Sequence, residues 1–218
     1  KNTHVISVSA VSRWRELLFA LLFLRLVYQL ILFIAKRKGD AFKVHVHGVL
    51  AGILRSIEQL SKLLGADVIH MDDFFLPPEL RSEERLAEPG GNVHYERFCE
   101  EVLPYLKSPE LFSYRIFDCS RMDYNGESTV RNTPIRIVEG SYSHHPKFGK
   151  YADLFVFSDV DAVEQMRRIR LRNGEEKAQT FAKKWIPMEE RYFAAFGIKT
   201  HAGTSGTSSA GKKTAFAT

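Results

Sequence analysis

Hydrophobic and polar positions alternate along several short stretches of the chain and recur at helical spacing along others. Residues 42–48, FKVHVHG, alternate and are rich in β-branched side chains, which predicts a strand ending in glycine. Residues 53–65, ILRSIEQLSKLLG, set Ile53, Ile57, Leu60 and Leu64 on one face, predicting a helix that stops at Gly65. Residues 66–71, ADVIHM, read as a second strand and run straight into Asp72 and Asp73. Residues 76–92, LPPELRSEERLAEPGGN, are polar and rich in Pro and Gly, and predict a long irregular excursion. A helix interrupted by Pro104 is predicted over residues 95–106, YERFCEEVLPYL. LFSYRIF (111–117), PIRIVEG (134–140) and DLFVFSDV (153–160) read as strands, the second apolar up to its acid, Glu139. Residues 161–176 predict a helix with a basic end, and FAAFG, 193–197, closes the last helical stretch.

Strands alternating with helices predict an α/β fold whose mostly parallel sheet is covered on both faces. In such sheets ligands sit beyond the carboxyl ends of the strands. Asp72 and Asp73 end one strand and Glu139 ends another. If both strands are central, these acids face one crevice.

One segment departs from the pattern. Residues 17–35, LLFALLFLRLVYQLILFIA, are apolar except for Arg25, Gln29 and the Tyr28 hydroxyl, with basic residues on both flanks. About nineteen apolar residues suffice to span a bilayer. Arg25 near the middle would cost roughly 2.5–3.5 kcal/mol there, which disfavours a membrane anchor. The other reading is a helix buried within the protein or between copies of the chain in a homo-oligomer. The segment divides residues 1–40 from a domain over 41–202, and a Gly/Ser/Lys-rich tail follows at 203–218.

Composition narrows the function. A chain of 218 residues is long enough for one domain with a sizeable core, and 44% hydrophobic with 26% charged residues is ordinary for a soluble protein. Two cysteines, Cys99 and Cys119, exclude a disulfide scaffold; with no cleavable signal read, they favour a reducing cytoplasm, membrane association being the alternative. The net charge of +5 suits anionic ligands such as nucleotide phosphates without calling for a nucleic-acid partner.

Acids at strand ends, a glycine turn after a first strand and clustered arginines on a late helix are the parts phosphoryl transfer needs. They supply a magnesium ligand, a base near an acceptor hydroxyl, and cations that spread the charge of the moving group. The motifs VIHMDDFFLPP, EPGGNVHYERF, FSYRIFDCS, IVEGSYSHHPKFGKYADLFVFSDVD, RRIRLRNGEE and WIPMEERYF occur in order. Together, over about residues 43–200, they resemble the uridine kinase-like branch of the P-loop kinases, with nicotinamide riboside kinase and phosphoribulokinase as more distant relatives.

The resemblance implies a P-loop NTPase-like three-layer sandwich. It also implies ATP and Mg2+ as cofactors, with transfer of a phosphoryl group to a hydroxyl of a nucleoside or similar small metabolite. Asp72 then corresponds to the general base, with a turn cap as its plainer role, and Glu139 to the acid that holds magnesium through water. Arg167, Arg168, Arg170 and Arg172 match the lid over the donor phosphates, although their spacing equally suits a solvated basic helix end. Asp73, which doubles as the cap of the following turn, falls on the acceptor side with Phe74, His94, Tyr95, Tyr114 and Arg115. Tyr114 also fits the core of its strand. Trp185 and Tyr192 read as packing residues, and His144 and His145 lack companions at metal-ligand spacing.

Two features depart from that family. Its phosphate loop, GxxxxGK[ST], uses backbone N–H groups, a lysine and a hydroxyl to hold phosphates and magnesium. Aligned from Gly48, its second glycine falls on Ile53, its lysine on Leu54 and its hydroxyl on Arg55. A near-complete copy lies instead at 206–214, GTSSAGKKT, with Gly206, Gly211, Lys212 and Thr214 as candidate phosphate ligands, no clear buried strand before it and only four residues after. A third partial start, HVISVSAVS at 4–12, carries Ala10 at the turn glycine and Glu16 at the lysine. Such a set is expected of a rearranged, chimeric or circularly permuted chain. On the acceptor side, relatives carry a ribose-binding aspartate where Val93 and His94 stand, which puts a nucleoside acceptor in question. Two readings follow: a small-molecule kinase, or a catalytically impaired pseudokinase or binding module.

Overall fold

Parallel strand pairing builds the centre of the molecule, in a computed structural model that describes residues 4–7, 45–48, 53–159, 162–201, 204–207 and 215–216. The strands are β1 (His4–Ser7), β2 (His45–Gly48), β3 (Asp67–His70), β4 (Phe112–Asp118), β5 (Asp123–Val130), β6 (Ile135–Glu139), β7 (Leu154–Asp159), β8 (Thr204–Thr207) and β9 (Ala215–Phe216). β3 lies against one edge of β6. Both β1 and β2 lie against its other edge and against β7, and β8 and β9 follow beyond β7. All these pairs are parallel except β8–β9, so the mostly parallel α/β sheet expected from the sequence is present.

The helices are α1 (Ile53–Leu64), α2 (Glu83–Ala87), α3 (Tyr95–Glu101), α4 (Ala162–Asn173), α5 (Glu175–Thr180), α6 (Ile186–Phe196) and α7 (Ile198–His201). α1 ends where Gly65 takes φ +59°, a conformation that costs glycine little. α3 stops before a 3-10 turn at Leu103–Tyr105 that holds Pro104, as the sequence predicts. α5 and α6 are joined without a break by a π-helical turn at Phe181–Trp185, in which the Ile186 N–H donates to the Phe181 carbonyl. Pro187 explains the widening. A proline in a regular helix lacks its N–H and clashes with the carbonyl four residues back, and the wider turn relieves that clash.

A hairpin of β4 and β5 stands apart from the main sheet. β5 is absent from the sequence reading because DYNGESTV is polar and mostly exposed. Two further expectations need correction. The excursion at 76–92 contains α2, whose first turn is capped by Ser82 Oγ accepting from the Arg85 N–H at 3.1 Å. The polar run before and into the 206–214 stretch is not a plain tail, since Thr204–Thr207 forms a strand that pairs with β7.

β6 is buried almost throughout, as a central parallel strand should be. It is not apolar up to its acid, however, because Arg136 is fully buried within it. The Arg136 guanidinium donates to the carbonyls of Tyr105, Leu106, Glu110 and Arg131 at 2.7–3.2 Å and lies 5.2 Å from the Phe112 ring centre. It thereby ties the start of the hairpin to the sheet. The core alongside is aromatic: Phe74 meets Phe98 edge-on at 5.2 Å, and Phe98 packs on Phe148 at 4.4 Å. No helix among the described residues is long and apolar enough to cross a membrane. The segment 17–35 and most of the 1–40 region lie outside those residues.

Candidate active site

The tips of β3 and β6 meet in register, with His70 opposite Glu139. Beyond His70 the chain turns at once into a 3-10 helix, Met71–Phe74. Residues three apart share a face in such a turn. Met71 and Phe74 therefore enter the core, while Asp72 and Phe75 face a cavity of about 370 Å³. That size suits a small-molecule site. At the end of β6, Gly140 takes φ +128°, and a Cβ there would sit 2.7 Å from the Met71 Cβ. The missing side chain lets the two strand tips close on each other, bringing Asp72 and Glu139 to one cavity.

Four groups of residues complete the walls. Ser141 and Tyr142 continue from β6, while Cys119 and Met122 come from the hairpin turn, where Met122 adopts φ 56°. Arg172 from α4, Phe181, Lys184 and Trp185 from the π turn, and Glu189 from α6 form the helical side. Arg81, Leu86 and Asn92 come from the excursion.

Charge is concentrated here. Asp72 is open to the cavity, yet protein surrounds the cavity floor. Poor solvation raises its carboxyl above the ordinary aspartate range and the charge of Glu139 raises it further, while His70 and Arg172 oppose the shift. His70 Nδ1 lies 2.5 Å from Glu139 Oε1. Burial lowers the His70 value, but the hydrogen bond and charge of Glu139 outweigh it, so His70 is raised overall. Glu189 is 9% exposed, and burial pushes its carboxyl up to about 7, with a Ser141 hydrogen bond opposing and Asp72 adding to the shift. Burial and Asp72 push the Cys119 thiol up to about 11, which makes it a poor nucleophile at neutral pH.

The structure brings only some of the sequence candidates together. Asp72, Glu139 and Arg172 line the cavity. Arg167 and Arg168 are held by Glu164 at 2.6 and 2.8 Å, and Arg170 pairs with Glu175 at 3.0 Å. Asp73 points away from the cavity and accepts the Tyr114 hydroxyl at 3.0 Å. Phe74 and Tyr114 are fully buried, and Phe75 takes the cavity position instead. Arg115 pairs with Glu101 at 2.6 Å. His94 precedes α3, its N–H donating to the Phe74 carbonyl at 2.7 Å. Tyr95 lies between the Arg85 guanidinium, 3.8 Å away, and the His145 ring, 4.7 Å away.

His145 is buried and packs on Tyr95, Tyr192 and Phe196, while His144 meets Phe155 edge-on at 4.4 Å. Burial lowers both rings, to about 4 and about 3 respectively. Gly48 ends β2 and Gly206 lies within β8. Gly211, Lys212 and Thr214 lie outside the described residues. His70, Arg81, Lys184 and Glu189 escaped the sequence reading as site residues, although His70 and Glu189 lay in the quoted motifs VIHMDDFFLPP and WIPMEERYF.

The carboxylates of Asp72 and Glu139 are hard oxygen donors, which suit magnesium. Among the described residues no three His, Cys or acidic side chains could hold a metal by themselves. Magnesium commonly takes one or two carboxylates and fills its shell with water and phosphate, so this donor set fits the ion. The lysine slot of the phosphate loop, occupied by Leu54, does not fit a nucleotide in the same way.

No protein-family model and no curated protein matches the chain. Solved structures do. A candidate uridine kinase from Bacillus stearothermophilus superposes with a TM-score of 0.55 at 16% identity, over 73% of this chain and 84% of that one. A candidate fructose transport system kinase from a Silicibacter species superposes with a TM-score of 0.53 at 21% identity, over 66% of this chain and 79% of that one. At these identities the likeness is one of fold. The chain has the α/β fold of the P-loop kinases.

Proposed function

We propose that the protein is an ATP-dependent kinase that phosphorylates a hydroxyl of a small metabolite, with Asp72 as general base. The observation that carries this reading is the meeting of Asp72 and Glu139 at adjacent strand tips in a cavity that also holds Arg172 and Lys184. Asp72 would accept the proton of the acceptor hydroxyl, whose oxygen then bonds to the terminal phosphorus of ATP. The bond from that phosphorus to the bridging oxygen breaks, and ADP leaves. Glu139 would hold magnesium, which when bound supplies positive charge to the donor phosphates. The hydrogen bond to His70 orients the Glu139 carboxylate. Arg172 and Lys184 would spread the charge of the moving phosphoryl group.

Magnesium-dependent ATP consumption by the full chain tests the reading, with a panel of hydroxylated metabolites as acceptors. Turnover should fall at least about a hundredfold in Asp72→Asn, the scale of a lost general base. Unchanged turnover in that variant would remove Asp72 from this role.

A second reading has one observation in its favour. β2 ends at Gly48 and α1 begins at Ile53, so the strand and the helix that flank a phosphate loop are both present, but in sequence Leu54 falls on the lysine slot. A binding module without turnover would follow. Calorimetry separates the two: micromolar ATP–magnesium binding favours the kinase, and its absence favours the module.

A further inference from the structure

Arginines in this fold are mostly neutralised by acids. Arg85 pairs with Glu96, Arg97 and Arg115 with Glu101, Arg131 with Asp67, and Arg167 and Arg168 with Glu164. Arg81 is different. Its Nε–H donates to the Leu76 carbonyl at 2.7 Å, and no acid among the described residues pairs with it. It is half-buried on the cavity wall with Phe75, Leu86, Cys119 and Met122, whereas Arg172 and Lys184 belong to the helical side. The Nε anchor fixes the fork, and its terminal nitrogens have no hydrogen bond to protein among the described residues. A half-buried guanidinium without an acid carries a desolvation cost that an anionic ligand offsets. We infer that the acceptor carries an anionic group, phosphate or carboxylate, bound by Arg81. The inference rests on the kinase reading and names the acceptor class within it.

Calorimetry on the full chain without ATP provides the test, using ribose 5-phosphate and glycerate as anionic probes and ribose and uridine as neutral ones. At least one anionic probe should bind about tenfold or more tightly than both neutral probes, and comparing the two tells phosphate from carboxylate. Arg81→Gln should abolish the preference. Arg81→Lys, which keeps the charge but loses the Leu76 contact, should retain most of it. Neutral probes that bind as tightly as both anions, or a preference that survives Arg81→Gln, overturn the inference. A separate ATP–magnesium titration judges the kinase reading: if ATP fails to bind while the Arg81-dependent preference persists, that reading falls and the anion site stands.

A different observation concerns the centre of the sheet. On β7, Ile6 and Ser7 stand opposite Leu154 and Phe155, and His45 to Gly48 stand opposite Phe155 to Ser158. Ser7 and His45 thus take the same partner. On β6, His4 to Ile6 face Ile135 to Ile137 and Val46 faces Glu139, which leaves Val138 for Ser7. Joining Ser7 directly to Val46 satisfies both edges at every position. We propose that β1 and β2 are two halves of one strand, and that residues 8–45 are an insertion the fold does not require.

Three internal deletions test this, removing residues 8–44, 8–45 or 8–46. A one-residue slip turns every downstream side chain to the wrong face. The 8–45 deletion should therefore melt cooperatively, at or above the temperature of the full chain and several degrees above the other two. If it is no more stable than its neighbours, or none of the three folds, the inference fails.

Discussion

Asp72 can serve as a base only when ionised, and its surroundings work against ionisation. Its carboxyl is raised to about 7, by poor solvation first and Glu139 second. Turnover should therefore fall about tenfold per pH unit below neutrality and level off above it, read as kcat/KM across pH 5–9. Glu189 affects stability instead. Its folded-state value, about 7, lies above the ordinary glutamate value of 4.5, so it favours the fold only while protonated. That contribution is complete below about pH 4.5 and is lost as pH rises through about 7. Glu189→Gln should then be more stable than the parent by roughly 1–3 kcal/mol at pH 8 and equal to it near pH 4, measured by urea melts. At this scale the sequence placed Asp72 and Glu139 at the ends of two predicted strands, and the structure brings those ends to one cavity. Phe74, carried to the acceptor side by the resemblance, is turned into the core because the 3-10 turn pairs Asp72 with Phe75 instead. Arg81 and Glu189 carry no such local mark, since only the folded walls make them neighbours of Asp72.

Between elements, Arg97 joins three parts of the fold. It is 2% exposed, donates to the carbonyls of Asp73 and Arg115, and pairs with Glu101 on its own helix at 3.0 Å. It thus joins α3 to the turn that carries Asp72 and to the hairpin. Arg97→Met should cost about 1–3 kcal/mol, because it leaves the part-buried carbonyls of Asp73 and Arg115 poorly satisfied while Glu101 keeps its pairing with Arg115. Turnover should fall with it. A chemical melt alongside an assay at 10 °C separates loss of fold from displacement of Asp72. Gly140 works between elements as well. Gly140→Ala should destabilise the chain by about 1–3 kcal/mol, since φ +128° strains any side chain and the new methyl meets Met71. The parallel strands and α1 were legible because their periodicity is strong. β5 and β8 were not, because DYNGESTV and TSGT form strands through pairing with neighbours rather than through apolar side chains.

At the scale of the molecule, the cavity is enclosed by parts far apart in sequence: sheet tips, hairpin turn and the helical run from α4 to α6. No local pattern encodes that meeting. The last of these parts depends on Pro187. Each residue advances an α-helix by about 100°, so the wide turn at Phe181–Trp185 sets the rotation of everything after it. Glu189 faces Asp72 across the cavity because of that offset, and Tyr192 and Phe193 reach the core by the same rotation. Shortening the turn by one residue would swing the acid out of the chamber and two aromatic rings off the sheet together. Chains that vary at Pro187 should therefore vary in step at positions 189, 192 and 193.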